Sequence, residues 1–175
     1  MSARFGPRLF LVCVALIFLS KTAPAQSKIA VINLQKAVLE SDEIKKASTQ
    51  MEAKYKPRQQ ELEKIQRDLQ GIQQQLQAGA GKLTPQAEAD LTSQGQRKQR
   101  DFQRMSDDLQ ADVNAERNDI LGKSTQKMAE VVKKLAEEKG YDVVVDVSNT
   151  VYFKPALEIT AEALAAYNKA YPAAK

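Results

Sequence analysis

Two long stretches of this chain carry apolar residues at alternating three- and four-residue spacing, and a glycine-bearing turn joins them. In the first, Leu62, Ile65, Leu69, Ile72 and Leu76 form a heptad seam, the pattern of a helix packed along another helix. Ile44, Ala47, Met51 and Tyr55 lead into it. Gly79-Ala80-Gly81-Lys82-Leu83-Thr84-Pro85 then stops the helix: two glycines end it, Thr84 suits an N-cap, and Pro85 suits a first helical position. The second stretch carries Leu91, Phe102, Met105, Leu109, Val113, Ile120, Met128, Val131 and Leu135, and Gly140 closes it. The chain is therefore expected to run out along one helix and back along the other, with legs of roughly 60 to 80 Å. Such a hairpin encloses little volume for a catalytic pocket but offers a long surface.

Short apolar segments flank the hairpin. Lys28-Ile-Ala-Val-Ile-Asn-Leu34 precedes it. After it, Val143, Val145 and Val147 alternate with Asp142, Val144 and Asp146, a half-buried strand pattern. Ser148-Asn149 suits a turn, Thr150–Phe153 a return strand completing a β-hairpin, and Thr160 the cap of a closing helix that carries Leu164 and Tyr167. The expected class is α+β: residues 26–35 and 140–175 form a β-rich body, and residues 36–139 form the arm, with its tip near 79–85. Ser41 or Asp42 starts the first leg, which Pro57 should bend. Arg58 interrupts the seam, and near the turn Gly95 and Lys98 stand where apolar residues belong, so packing should be thinnest at the tip.

The first residues read as an export signal. Arg4 and Arg8 precede an apolar run from Leu9 to Leu19, and Ala23-Pro24-Ala25 presents small residues to a signal peptidase. The run of 11 residues is too short to span a bilayer core, which needs about 20. Residues 1–25 are thus expected to be removed. Cys13, the single cysteine, leaves with them, so no disulfide, thiol nucleophile or thiolate metal site is expected. The chain also has no His and no Trp. Without His or Cys it loses the most common general base and the best nucleophile, so no catalytic residues, metal or cofactor are expected. Arg4, Arg8 and Lys21 also leave, which lowers 26 basic residues to 23 against 22 acidic ones. A net charge of +1 excludes a global nucleic-acid-binding role.

A body of three short strands and one helix is too small to bury enough apolar surface alone. Its first strand is apolar on both faces, Ile29 and Val31 on one and Ala30, Ile32 and Leu34 on the other. Covering both faces calls for further copies of the chain, with Ile29, Val31, Ile32, Val143, Val145 and Val147 as the candidate oligomerisation residues.

On the arm, Lys54 to Arg104 holds ten basic and six acidic residues, whereas Ser106 to Lys139 holds six and eight. Arg97, Lys98, Arg100 and Arg104 cluster there and are candidates for attracting acidic partners, against the plainer reading of a solvated coiled-coil face. Ile72, Leu76, Leu83 and Leu91 lie where pairing is thin and are candidates for apolar contact, against simply holding the hairpin together. Met51, Met105 and Met128 fit a helical core as well as adaptable binding. Gly81-Lys82 is no phosphate loop, because Leu76 and Leu83 occupy the positions of its first Gly and its Ser or Thr. Asp142 and Asp146 share a strand face and read as solvent-facing residues rather than an acid–base pair.

The order of these parts resembles the Skp/OmpH family of periplasmic chaperones: signal peptide, Lys28–Leu34, a Gln- and Lys-rich helical hairpin, Gly140-Tyr-Asp-Val-Val-Val-Asp146, then Glu158-Ile-Thr160 before a last helix. The resemblance covers essentially the whole exported chain. It implies a homotrimer whose strands form a shared body, with three helical hairpins around a cavity. It also implies an activity: holding unfolded outer-membrane proteins in the periplasm without ATP, as a chaperone and not an enzyme. Weak contact with anionic lipid or lipopolysaccharide is a minor expectation. A different class of function, an envelope adaptor coiled coil that binds one folded partner, fits the arms alone.

Overall fold

The computed structural model describes residues 27–173, so the expected signal peptide lies outside the described residues. Strand β1 spans Ile29–Ile32, and helix α1 follows at Leu34–Leu39. The arm consists of α2 at Asp42–Ala78 and α3 at Pro85–Lys139. Strand β2, Val143–Asp146, leads through one-turn 3₁₀ segments at Val147–Asn149 and Pro155–Leu157 to α4, Thr160–Ala170. The legs hold 37 and 55 residues, which correspond to about 55 and 80 Å. Mostly helical, with two long helices and a small two-stranded sheet, the chain is α+β as expected.

Local chemistry sets the ends of the legs. The Ser41 hydroxyl caps α2, accepting from the Ile44 amide, and Thr84 caps α3, accepting from the Ala87 amide. At the tip, a Cβ on Gly79 would lie 2.6 Å from the Leu83 side chain, so only glycine lets the turn close. Gly140 ends α3 in the left-handed region, at φ 67°. Pro57 does not end the first leg: α2 runs through it, at the cost of the bond its missing N–H would have donated.

The two strands pair in parallel, Ile29 opposite Val143 through Ile32 opposite Asp146, so the whole arm is the crossover between neighbouring strands. The other edge of β1 is taken by a bridge from Val31 to Glu158, with the Ile159 amide donating to the Val31 carbonyl at 2.8 Å. The expected β-hairpin is therefore corrected. Thr150–Phe153 forms no strand, and Val151 and Tyr152 are exposed. The cause is Asp146, which was expected to face solvent. Its carboxylate accepts from the Ser148 amide at 2.8 Å and the Ser148 hydroxyl at 2.5 Å, folding the chain into a turn where a strand would have continued. It also accepts from the Leu34 amide at 3.1 Å, so it helps to satisfy the start of α1. The bonds from Ser148 and Leu34 hold its carboxyl below the usual carboxylate range, against an opposing effect of burial. Thr160 also differs from expectation. It is the first residue of α4 and does not cap it; its hydroxyl accepts from the Asn33 amide at 2.9 Å and donates to Glu158.

The core lies where the arm meets the strands. Ala30 and Ile32 of β1, Ala37 and Val38 of α1, Ile44 of α2, Met128, Val131 and Leu135 of α3, and Ile159, Ala163 and Tyr167 near the end form one buried cluster. The base is thus larger than the flanking segments alone, because the root of the arm supplies much of its apolar volume. Tyr167 is fully buried, and its phenol donates to the Glu43 carboxylate. Lys127 of α3 donates to the same carboxylate at 2.6 Å. Burial alone would raise the Glu43 carboxyl, but the bonds from Lys127 and Tyr167 and the charge of Lys127 outweigh it and hold the group below its ordinary value. Burial and the Glu43 bond raise the Tyr167 phenol.

Tyr167→Phe keeps the ring and removes one bond to a charged acceptor, and should cost roughly 1–3 kcal/mol in urea unfolding. A carboxyl lowered by folding stabilises above its unfolded pKa, here near 4.5, and that stabilisation is lost as pH falls through the lower folded value. Stability measured across this acid range should fall less steeply in Glu43→Gln than in the wild type.

Candidate functional site

Packing between the legs divides the arm. In the root half, Tyr55 of α2 and Leu109 of α3 are buried, and Ile65 and Ile72 continue the buried seam along α2. From residue 73 around the turn to residue 108, no residue is buried. Helices there touch along a narrow line, so apolar side chains on both legs keep part of their surface in water.

Polar pairs cross the legs where the apolar seam is interrupted. Glu116 accepts from Lys54 and from the Tyr55 hydroxyl, each at 2.6 Å. These bonds lower the Glu116 carboxyl, and the bond to Glu116 raises the Lys54 ammonium and the Tyr55 phenol. Arg58 pairs with Asp112 at 2.6 Å and lies 5.9 Å from the Tyr55 ring centre. Further out, Lys98 pairs with Asp68 at 2.6 Å, lowering that carboxyl. Exposed pairs of this kind add little stability one by one. Their effect is on register, since each fixes which residue of α3 faces which residue of α2.

The residues singled out in the sequence divide by environment. Ile72 is only 5% exposed and packs toward Gly95, where a Cβ would lie 3.4 Å from its Cγ2. It belongs to the seam in this chain. Leu76, Leu83 and Leu91 are half-buried around the turn. Arg97, Arg100 and Arg104 are exposed at spacings of three and four residues on α3, a solvent-facing stripe. Arg97 donates to Ser93, and Arg104 pairs with Asp101. Lys98 is turned toward α2 by its pair with Asp68 and is only half-exposed, so it stands apart from that stripe.

The base candidates divide too. Ala30, Ile32 and Val144 face the core, leaving Ile29, Val31, Val143 and Val145 on the other side of the sheet. Val31 and Ile32 are buried within the chain, whereas Ile29 and Val143, paired in register, are 44% and 49% exposed. Val145 and Val147 are half-buried. Leu39 and Leu157 are further exposed apolar residues of the base. The sequence pattern did not point to the polar junctions at Glu43, Glu116 and Asp146. Their only signals were a carboxylate in the first turn of α2, a charged residue opposite the interrupted seam, and an Asp two residues before Ser148.

Comparison with known proteins places this architecture. A family profile described as "Outer membrane protein (OmpH-like)" matches residues 28–167. The Skp-like protein of Pseudomonas aeruginosa is 31% identical over 160 residues, covering 91% of this chain and 95% of that one. The chaperone protein Skp of Salmonella typhimurium is 32% identical over 145 residues, covering 82% and 88%. Among solved structures, an OmpH-like protein of Caulobacter crescentus superposes with a TM-score of 0.70 at 19% identity, covering 87% of this chain and 90% of that one. At that identity the likeness bears on fold alone.

The thin seam near Ile72 can be tested directly. Gly95→Ala adds a methyl group at ordinary contact distance from Ile72 and replaces a poor helix former, so it should stabilise the distal arm by up to about 1 kcal/mol. Amide hydrogen exchange should slow around residues 91–100 while rates at the base stay unchanged.

Proposed function

The chain belongs to the OmpH-like family, and from that premise we propose that it is an ATP-independent holdase of the periplasm that keeps unfolded outer-membrane proteins from aggregating. One observation carries the reading. The distal arm exposes half-buried Leu76, Leu83 and Leu91 along a stretch with no buried residue, beside exposed Arg97, Arg100 and Arg104. A surface of that kind can make many weak, unspecific contacts with an unfolded chain. The chaperone names of the related Skp proteins support the same assignment, as does the export signal read at residues 1–25.

Retention by weak contacts requires several arms acting together, because arms on one base bind at high effective concentration. The uncovered sheet face around Ile29 and Val143 supports assembly through the base, and a trimer is the copy number we propose. Release needs no nucleotide, since a client that folds into a membrane removes its own unfolded surface. The arginine stripe gives the arm a weak attraction for anionic lipid or lipopolysaccharide as a minor role.

Light scattering of a urea-unfolded outer-membrane barrel diluted into nucleotide-free buffer tests the reading. The exported protein should suppress scattering at about one oligomer per client, and several unrelated barrels should be protected. Protection of a single native partner only would favour the adaptor class instead. A chain lacking residues 72–91 should retain clients poorly yet keep the wild-type oligomeric mass. A monomeric deletion chain would overturn assembly through the base.

A further inference from the structure

At the root of the arm, α1, α2 and α3 border an open groove of about 260 Å³, outside the tip region assigned above to client contact. Ile44, Met51, Val113 and Ile120 give it an apolar lining. Two polar side chains complete it, the Ser48 hydroxyl and the Arg117 guanidinium, both exposed. No carboxylate lines the groove, and Arg117 has no hydrogen-bond or ion-pair partner among the described residues. This contrasts with Lys54, Arg58, Lys98 and Lys127, each of which meets an acid on the opposite leg.

The groove is smaller than pockets that hold drug-sized molecules, roughly 300–1,000 Å³, and suits one or two large side chains. An unpaired guanidinium beside it presents a planar fork that matches a carboxylate. The Ser48 hydroxyl on the same lining can bond a peptide N–H or C=O. An apolar side chain, a carboxylate and an amide occur together at the C-terminal residue of a polypeptide. An alkyl carboxylate lacks the amide, and an internal segment offers a carboxylate only on an Asp or Glu side chain, not on the same residue as the apolar group. We propose that this groove captures the free C-terminus of an extended chain ending in a large apolar residue, with its side chain among Ile44, Met51 and Ile120 and its carboxylate on Arg117. The proposal rests on the holdase reading and adds to it a defined anchoring point for one end of the client.

The test uses the exported protein in its native assembly and a fluorescent ten-residue peptide ending in Phe, prepared as the free acid and as the C-terminal amide. Anisotropy titrations should show the free acid binding about tenfold more tightly, a difference of about 1.4 kcal/mol. Arg117→Gln should abolish the difference, and Arg117→Lys should retain part of it. Circular dichroism and oligomeric mass should match the wild type in both variants, as Arg117 is exposed. Equal binding of acid and amide, or an unchanged preference in Arg117→Gln, would overturn the proposal. So would full competition by a fatty acid that binds Arg117→Gln no more weakly, or dissociation of the assembly by Arg117→Gln, which would identify the occupant as a second copy. Scattering suppression run in parallel separates the two readings. If the wild type suppresses aggregation but does not discriminate the peptides, only the anchoring proposal fails; if it suppresses nothing, the holdase reading fails.

Discussion

The Glu43 carboxylate joins three helices that the chain brings together from residues far apart in sequence. It lies in the first turn of α2, accepts from Lys127 of α3, and accepts from the Tyr167 phenol of α4. A carboxylate taken partly out of water is costly unless its lone pairs are occupied, and here a cation and a phenol occupy them. The geometry leaves little choice in how the arm leaves the base. Were α2 rotated or shifted by a residue, Glu43 would lose both donors, and Ile44, its neighbour, would leave the core formed with Met128, Val131 and Tyr167. The direction of the arm and the closure of the core are thus one constraint. The Lys127 ammonium also lies 5.0 Å from the Tyr171 ring centre, which ties the end of the closing helix to the same point.

Much of this was legible in the sequence, and the part that was not has a common cause. Heptad spacing from Leu62 to Leu76, the glycines around residue 80, Thr84-Pro85 and Gly140 marked the two legs, because these signals act over a few residues and depend on local backbone chemistry. The alternation at Val143–Val147 marked a strand but not its partner. Thr150–Phe153 reads as a strand by composition, yet the Asp146 carboxylate bends the chain first, and the free edge of β1 goes to Glu158 and Ile159. Pattern reading assigns strands one at a time; it does not see competition for an edge. Thr160 shows the same limit, since its hydroxyl serves the amide of Asn33 instead of its own helix.

The candidate surfaces were legible as regions more than as residues. Ile72 carried the same apolar signal as Leu76, Leu83 and Leu91, but Gly95 opposite it lets the legs approach and buries it, while the other three keep water on one side. Lys98 read as one of a basic cluster, and Asp68 thirty residues away turns it inward. In the base, Val31 and Ile32 were grouped with Ile29 and Val143 by composition, though the fold buries the first two and leaves the last two half in water.

The uneven seam has a consequence for how a grip and a frame can exist in one helical hairpin. Stability along a two-helix arm is close to a sum of local contributions, because each turn touches only the turn opposite. Where Ile44, Met128, Val131 and Leu135 join a three-dimensional core, opening the legs exposes the whole cluster to water. Past Ile72, opening exposes only a line of half-buried side chains. Local opening should therefore cost progressively less toward the turn, with the largest change near Ile72, where the last buried seam residue of α2 stands. The groove beside Arg117 lies on the stiff side of that boundary, and the leucines around the turn lie on the soft side. A rigid wall suits recognition of one defined chemical group, and a compliant end suits shapeless contact, so the same gradient in packing suits the two proposed kinds of binding at opposite ends of one arm.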